Sequence, residues 1–389
     1  MEMETYGAIS VLPFELQVEI LSRLPVKTLM RFKCVSKPWK SVIADDKPFT
    51  KLHLARSSQN AHLLLTLECI TDGEEVTHIA ITPVHRLLED PSPRIFDGQE
   101  TLKDRLNNHY SVAGSYNGIV CLRGYLLTAS SVQVFWFLLW NPVTRLRSEY
   151  SPVFKESRLQ GKTNYGFGYD DSRATFKVVV AIWTDLKMER EVWVSCMGDT
   201  CWRKILIHPA FPTLLSQIDG QFVGGCVNWL ALDNLNGPFY DWNSVTLNQL
   251  VIVSFDMRQE EAYTYLSLPQ GLREVPCVEP QLGILRNHLC LFHYHKTTHF
   301  VVWQMTKYGV PESWTQLVCF SYAHPRSDYN LLPLCLSEDG NILLLANNHA
   351  LKVMVHNLRD NSVEYIDQLT NNKVWLNAHG YVESLVSPF

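Results

Sequence analysis

Among its ten cysteines the sequence has no Cys-x-x-Cys pair, and it has no Asn-x-Ser/Thr acceptor and no apolar run long enough to cross a membrane. Each absence closes off a class of protein. Scattered cysteines in a long chain read as reduced, buried thiols, not as a zinc ribbon, a dithiol redox centre or a disulfide scaffold. The missing glycosylation acceptor fits a chain that never meets the secretory pathway. The longest dense apolar stretch, "VQVFWFLLW" at Val132–Trp140, is far short of the ~20 residues of a spanning helix. The opening "MEMETYGAIS" lacks the basic cluster and apolar run of a signal peptide. The expected location is the cytoplasm and/or nucleus, with no membrane partner.

Catalytic signatures are missing too. There is no Gly-x-Ser-x-Gly elbow and no His-Glu-x-x-His. "GKT" at 161–163 fails as a phosphate loop, because position 156, where that loop needs a glycine, is Glu156. "GFG" at 166–168 lacks the further glycine and the helix of a dinucleotide site. The paired acids Asp170-Asp171 and Glu260-Glu261 fall in predicted turns, where exposed carboxylates are the norm. A net charge of -5 argues against general nucleic-acid binding.

What is present is a globular chain of 389 residues, 46% hydrophobic and 11% aromatic. Its positive charge is unevenly spread. Arg23, Lys27, Arg31, Lys33, Lys37 and Lys40 follow one another with no acid among them, a local basic face suited to an acidic protein partner.

Residues 11–56 carry helical periodicity. "LPFELQVEILSRLP" sets Leu16, Ile20 and Leu24 at i, i+4 and i+8, with Val18 and Leu21 widening the stripe. Pro13 suits a first turn, and Pro25 ends the helix at Leu24. "VKTLMRFKCV" predicts a second helix, and Ser36 caps a third, "KPWKSVIA", with Pro38 in its first turn. Three short helices bury too little surface to stand alone, so the unit needs something to lean on.

The stretch "LPFELQVEILSRLPVKTLMRFKCVSKPWKSVI" resembles the F-box, the helical motif that docks a receptor onto the Skp-type adaptor of a cullin–RING ubiquitin ligase. The resemblance implies an adaptor interface built from Leu12, Pro13, Ile20, Leu21, Leu24, Pro25, Leu29, Val35 and Trp39. It also implies that Arg23, Lys27, Arg31, Lys33 and Lys37 meet an acidic adaptor surface, where they speed encounter more than they fix affinity.

From about Asn60 the period changes to two. "HLLLTLECI" and "VTHIAITPV" read as a hairpin around Asp72-Gly73, and "EDPSPRIFDGQE" (89–100) as a loop. Beyond it a strand–turn–strand unit recurs, its second strand beginning near Phe137, Val192, Val251, Phe300 and Val353 at intervals of 55, 59, 49 and 53 residues. Four or so strands in a period near 50 is the pattern of propeller blades. Trp202, Tyr263, Trp314 and Tyr365 recur after the turns, where a blade wants a large wedge. Five units are visible, and the 60–110 region is a candidate for another.

"GSYNGIVCL", "LWNPVTR", "YGFGYD" with "FKVVV", "GDTCWRKI", "VSFDM", "YGVPESWTQL" and "YVESLVSP" resemble the F-box-associated domain of plant F-box proteins, some of them labelled F-box/kelch-repeat. The predicted architecture is therefore mixed. A small all-α F-box at 8–55 precedes a connecting region with a β-hairpin at 56–110. An all-β, propeller-like substrate-recognition domain at 111–389 follows.

"CLFHYHKTTHFVVW" holds His293, His295 and His299 within seven residues, a spacing that invites zinc. Shifted by 53 residues, the hairpin overlays "ILLLANNHALKVMVH", where Ala346, Asn348 and Lys352 replace the histidines, so the hairpin forms without a ligand. The histidines lose their claim as metal ligands and keep a weaker one, a binding edge sensitive to pH near ~6.5. No cofactor is implied.

The reading is a non-catalytic substrate receptor of an SCF-type ubiquitin ligase that binds the Skp-type adaptor, and through it cullin and RING subunits, and holds a target protein for ubiquitination. The alternatives are an F-box scaffold outside the ligase and a propeller metalloenzyme. Candidate target-binding loops are 152–164, 207–219 and 233–247, the last offering Phe239, Tyr240 and Trp242.

Overall fold

The computed structural model describes residues 12–57, 61–71, 74–84, 109–127, 132–157, 163–184, 189–205, 211–233, 239–260, 262–296, 298–321, 331–337, 339–347, 352–366 and 374–389. Four helices come first: α1 (Phe14–Leu21), α2 (Val26–Phe32), α3 (Lys37–Asp45) and α4 (Lys47–Ser57). Extended Pro13 and Pro25 precede α1 and α2, and the Ser36 hydroxyl caps α3 by accepting from the Trp39 amide at 3.3 Å. Two expectations change. α1 ends at Leu21 instead of Leu24, because a residue before proline is pushed out of the helical region and the chain must turn before Pro25. A fourth helix exists, started by Asp46 Oδ1, which accepts from the Phe49 amide at 3.1 Å.

That fourth helix supplies what three lacked. Phe49 joins Leu21, Leu29, Val42 and Ile43 in one buried cluster, and Leu385, from the far end of the chain, packs against it. The buried His53 ring reaches back from α4 to the Leu24 carbonyl, with Nε2 at 2.9 Å. A carbonyl only accepts, so Nε2 carries the proton. Arg56 ties α4 to α1 through Glu19 at 2.7 Å and through the Ser22 hydroxyl.

The rest is β-structure. β1 (Ala61–Thr71) and β2 (Glu74–Pro83) form the expected hairpin; its Asp72-Gly73 turn and the predicted 89–100 loop lie outside the described residues. β3 (His109–Tyr116), β4 (Ile119–Leu127), β5 (Val132–Asn141), β6 (Leu146–Tyr150) and β7 (Phe154–Ser157) form one sheet, with β6 and β7 sharing the edge of β5. β8 (Thr163–Asp170), β9 (Thr175–Thr184), β10 (Glu189–Cys196) and β11 (Arg203–Ile205) form the next. β12 (Thr213–Leu214), β13 (Asp219–Val223), β14 (Cys226–Leu232), β15 (Leu250–Asp256) and β16 (Tyr263–Leu266) follow, with β12 set beside β14. Two four-stranded meanders come after. One is β17 (Gln281–Leu285), β18 (His288–His295), β19 (His299–Met305) and β20 (Trp314–Ser321). The other is β21 (Leu331–Leu336), β22 (Ile342–Asn347), β23 (Lys352–Asn357) and β24 (Val363–Ile366). β25 (Val374–Val382) then pairs with β1, so the last strand completes a sheet that the first hairpin began.

The innermost strands β25, β3, β8, β13, β17 and β21 neighbour one another in turn, and β21 returns to β25. The described residues thus form a closed ring of six sheets, the propeller architecture the sequence period predicts. Phe137, Val192, Val251, Phe300 and Val353 all lie on third strands (β5, β10, β15, β19 and β23), and the histidine hairpin and its ligand-free counterpart occupy equivalent positions. The hairpin assigned to a connecting region belongs to the ring itself.

Close approach dictates the glycines of "YGFGYD". β8 and β13 run parallel, pairing Gly166 with Gly220, and a Cβ on either would fall within 2.4 Å of Val227 Cγ1. The predicted wedges are real at two positions. Trp202 and Trp314 each donate an indole N–H to a carbonyl of the preceding sheet, Pro152 and Ser267, at 2.8 Å.

Two acid pairs expected in exposed turns are not exposed at their first residues. Asp170 and Glu260 are buried around Lys177, whose ammonium lies 2.5 Å from a carboxylate oxygen of each. Burial would raise the Asp170 pKa, but the Lys177 ammonium and Ser172 hydroxyl outweigh it and hold the carboxyl at about 2.

Candidate functional site: the two ends of the ring

In these meanders the innermost strand comes first, so turns joining first to second strands gather at one end of the ring. Links joining second to third strands, and one sheet to the next, gather at the other. The helical module enters at the first end, since β1 starts opposite Val382, the last residue of β25. A channel of about 2040 Å³ follows the axis, lined by residues of all six innermost strands and, at the helical end, by Pro25, Lys27, Lys51, Leu54 and Ala55.

The helical module presents an apolar surface. Leu12, Phe14, Leu16, Ile20 and Val35 are between 50% and 63% exposed, on α1, its lead-in and the link between α2 and α3. Single exposed leucines are ordinary, but five large apolar side chains on a module of this size indicate a partner. Of the residues the F-box resemblance singles out, Leu12, Pro13, Ile20, Pro25 and Val35 are exposed, and Leu24 and Trp39 half-buried. The Trp39 indole donates to Gln17 Oε1 at 2.8 Å and lies against Phe32. Leu21 and Leu29 are at most 2% exposed. They hold the helices together, with side chains closed to solvent. Phe14 and Leu16 take their place on the surface. α1 carries two apolar stripes, and the core uses the one through Val18 and Leu21, which frees Leu16 and Ile20.

Arg31 and Lys37 are exposed and Lys33 half-buried. Arg23 is exposed but paired to Glu19 at 2.5 Å, so its charge is partly answered within the chain. Hydrogen bonds from Arg23 and Arg56 hold the Glu19 carboxyl below its ordinary range. Lys27 lines the channel mouth, on the side of the module nearest the ring.

All three candidate loops leave the ring at the end remote from the helices, as sheet-to-sheet links (152–164 and 207–219) or as a second-to-third link (233–247); residues 158–162, 206–210 and 234–238 lie outside the described residues. Phe239 is 76% exposed. Tyr240 and Trp242 are half-buried and anchor the loop instead. The Tyr240 hydroxyl donates to Glu279 Oε1 at 2.8 Å, and the Trp242 indole donates to the Pro276 carbonyl at 2.9 Å. Glu279 also accepts from the Ser216 amide at 2.9 Å, so one carboxylate gathers three loops. The 267–280 link, unremarked in the sequence because it has no aromatic cluster, is therefore part of this rim.

The three histidines do not converge. His293 is buried and its Nε2 accepts from the Trp303 indole at 3.2 Å; burial depresses its pKa. His295 Nδ1 lies 3.2 Å from Glu274, and His299 Nδ1 is 2.8 Å from the Thr298 hydroxyl. Among the described residues no three His, Cys, Asp or Glu side chains gather as a metal group. Among them, too, no helix is long and apolar enough to cross a membrane.

Residues 9–51 match the family described as F-box domain, and residues 106–388 match the F-box associated beta propeller domain. The F-box/kelch-repeat protein At3g23880 of Arabidopsis thaliana is 28% identical over 349 residues, covering 86% of this chain and 85% of that protein. F-box protein CPR1 of the same plant is 26% identical over 366 residues, covering 87% of this chain and 80% of that protein.

Proposed function

Because the chain belongs to the family of plant F-box proteins with an F-box associated beta propeller domain, we propose that it is the substrate receptor of a Skp–cullin–F-box ubiquitin ligase. The helical module binds the Skp-type adaptor, which brings the cullin and RING subunits, and the far rim of the ring holds the target protein. The chain itself contributes position and effective concentration, and ubiquitin transfer takes place on other subunits. It would act where ligase and target meet, in the cytoplasm or nucleus.

One observation carries this reading: the apolar face of Leu12, Phe14, Leu16, Ile20 and Val35 lies on the helical module, while Phe239 and the long links emerge at the opposite end of the ring. Two partners can therefore be bound at once. Exposed Arg31 and Lys37 favour an acidic adaptor surface and raise the encounter rate. Co-purification with a Skp-type adaptor tests the first half. Retained binding by the Leu16→Asp, Ile20→Asp double variant would overturn it. An F-box scaffold acting outside the ligase would bind the adaptor equally well but leave the half-lives of its other partners unchanged on depletion of the chain. Proximity labelling with an F-box-deleted chain identifies those partners.

A further inference from the structure

Arg123 lies mid-way along β4, half-buried between the second and third sheets of the ring. Among the described residues its guanidinium makes no ion pair. Asp219, which stands opposite Tyr165 across the β8–β13 pairing, accepts from Gln221 Nε2 at 2.9 Å. Three aromatic rings hold Arg123, with its guanidinium carbon 5.2 Å from the centroid of Phe135, 5.4 Å from Tyr165 and 5.6 Å from Tyr125. Its Nε is buried without an acceptor.

The polar groups nearest the guanidinium are hydroxyls, with the Asp219 carboxylate beyond Tyr165. Ser111 is the direct cross-strand partner of Arg123, and its buried hydroxyl lies beside the Tyr165 hydroxyl. Burial pushes the nearby Tyr165 hydroxyl up to about 12, so it keeps its proton. A cation with unused N–H groups costs free energy when desolvated, and aromatic faces offset part of that cost without supplying an acceptor. Ser111 and Tyr165 each stand third in an innermost strand, and Phe135 and Tyr125 sit toward the same ends of β5 and β4. All four lie in the half of the ring away from the helical module, where target binding is proposed.

We propose that Arg123, with the Ser111 and Tyr165 hydroxyls, forms a subsite for an oxyanion, a carboxylate or phosphate group carried by the target protein. The planar guanidinium presents paired N–H groups that match either anion, and the rings fix its plane in advance. The target role rests on the receptor reading, but anion binding by the chain alone does not.

The test uses the full-length chain with inorganic phosphate, and in a second arm succinate, titrated at constant ionic strength against chloride, following thermal midpoint and tryptophan fluorescence. The expected result is a saturable rise in midpoint with one or both anions and none with chloride. Arg123→Met should lose about tenfold or more in affinity, as charge-assisted hydrogen bonds imply. Ser111→Ala, which leaves the cation and its rings in place, should lose a smaller factor and guards against a folding failure in the first variant. The stronger anion identifies the source, phosphorylated or acidic. Equal responses in wild type and both variants, or no saturable response in wild type, would overturn the subsite. Adaptor co-purification on the same samples is unaffected either way, so failure here and failure of the receptor reading are told apart.

Discussion

Asn141 donates its side-chain amide to the Ser384 carbonyl at 3.0 Å and to the Val386 carbonyl at 2.7 Å, joining the second sheet to the tail that follows the last strand. Its Oδ1 accepts from the Val143 and Thr144 amides, so one buried side chain both shapes its own turn and anchors the tail. Ser384 returns the contact by donating to the Asn117 carbonyl at 2.6 Å, and Tyr381 donates to the Gly118 carbonyl at 3.3 Å. Three separated motifs, "GSYNGIVCL", "LWNPVTR" and "YVESLVSP", are therefore one latch that closes the ring. Because Leu385 packs on the helical core, the latch also seats the helical module.

Asn141→Ala should destabilise the chain by about 2–3 kcal/mol, since it leaves a buried carbonyl, a part-buried one and two amides without partners. Denaturant unfolding measures the loss. Hydrogen exchange should quicken in residues 380–386 and, through Leu385, in α1–α4. Unchanged exchange in the helices would mean that ring closure and the module are uncoupled.

The exposed and buried leucines of the module should separate cleanly. Leu16→Asp or Ile20→Asp should abolish adaptor co-purification with the thermal midpoint nearly unchanged, because both side chains already face water. Leu29→Ala, which empties a fully buried site, should cost about 2–5 kcal/mol and weaken adaptor binding only as far as it unfolds the helices. A stable Leu29→Ala chain with lost binding would return Leu29 to the interface.

Much of this was legible in sequence. Repeat spacing marked third strands, because each blade needs an apolar third strand at one depth. Ser36 and Pro38 announced α3, because capping is local chemistry. The failures are equally physical. Leu16 and Leu21 are alike in composition, and only the packing of the other three helices decides which is buried. Asp170 and Glu260 look like turn acids until two sheets close around Lys177. The pairing of β1 with β25 leaves no local signal, since its partners are some 300 residues apart.

Lys177→Met should be strongly destabilising, by about 3–5 kcal/mol, because it strands the buried Asp170 carboxylate and leaves Glu260 with Arg203 at 2.9 Å. The sign of the pH effect follows from the depressed pKa of Asp170 and the lowered pKa of Glu260, where burial is outweighed by Arg203 and Lys177. A carboxyl whose folded pKa is depressed contributes stability above its ordinary value near 4, lost as pH falls toward about 2. The wild type should therefore keep this sheet junction intact in mild acid. In Lys177→Met the acid midpoint, followed by near-ultraviolet circular dichroism, should move to higher pH. An unmoved midpoint would show that the cluster contributes nothing to acid resistance.

The helical module should loosen as pH falls. His53 is buried against the Leu24 carbonyl, and burial lowers its pKa, opposed by that hydrogen bond and by the charge of Glu383. The folded state therefore prefers the neutral ring. Between the ordinary value of 6.5 and the lower folded value, the unfolded chain binds the proton more readily, so stability declines as pH drops through that window. His293 and His379 are depressed in the same direction, so a global melting curve mixes the three. Exchange rates in α1–α4 at pH 7.5 and 5.5 isolate His53, because His293 lies in the histidine hairpin at the far rim and His379 on β25 within the ring. The helices should exchange faster at the lower pH after correction for intrinsic rates. His53→Gln, which keeps a donor for the Leu24 carbonyl but does not titrate, should remove the difference. A difference that survives in His53→Gln would assign the pH response to another group.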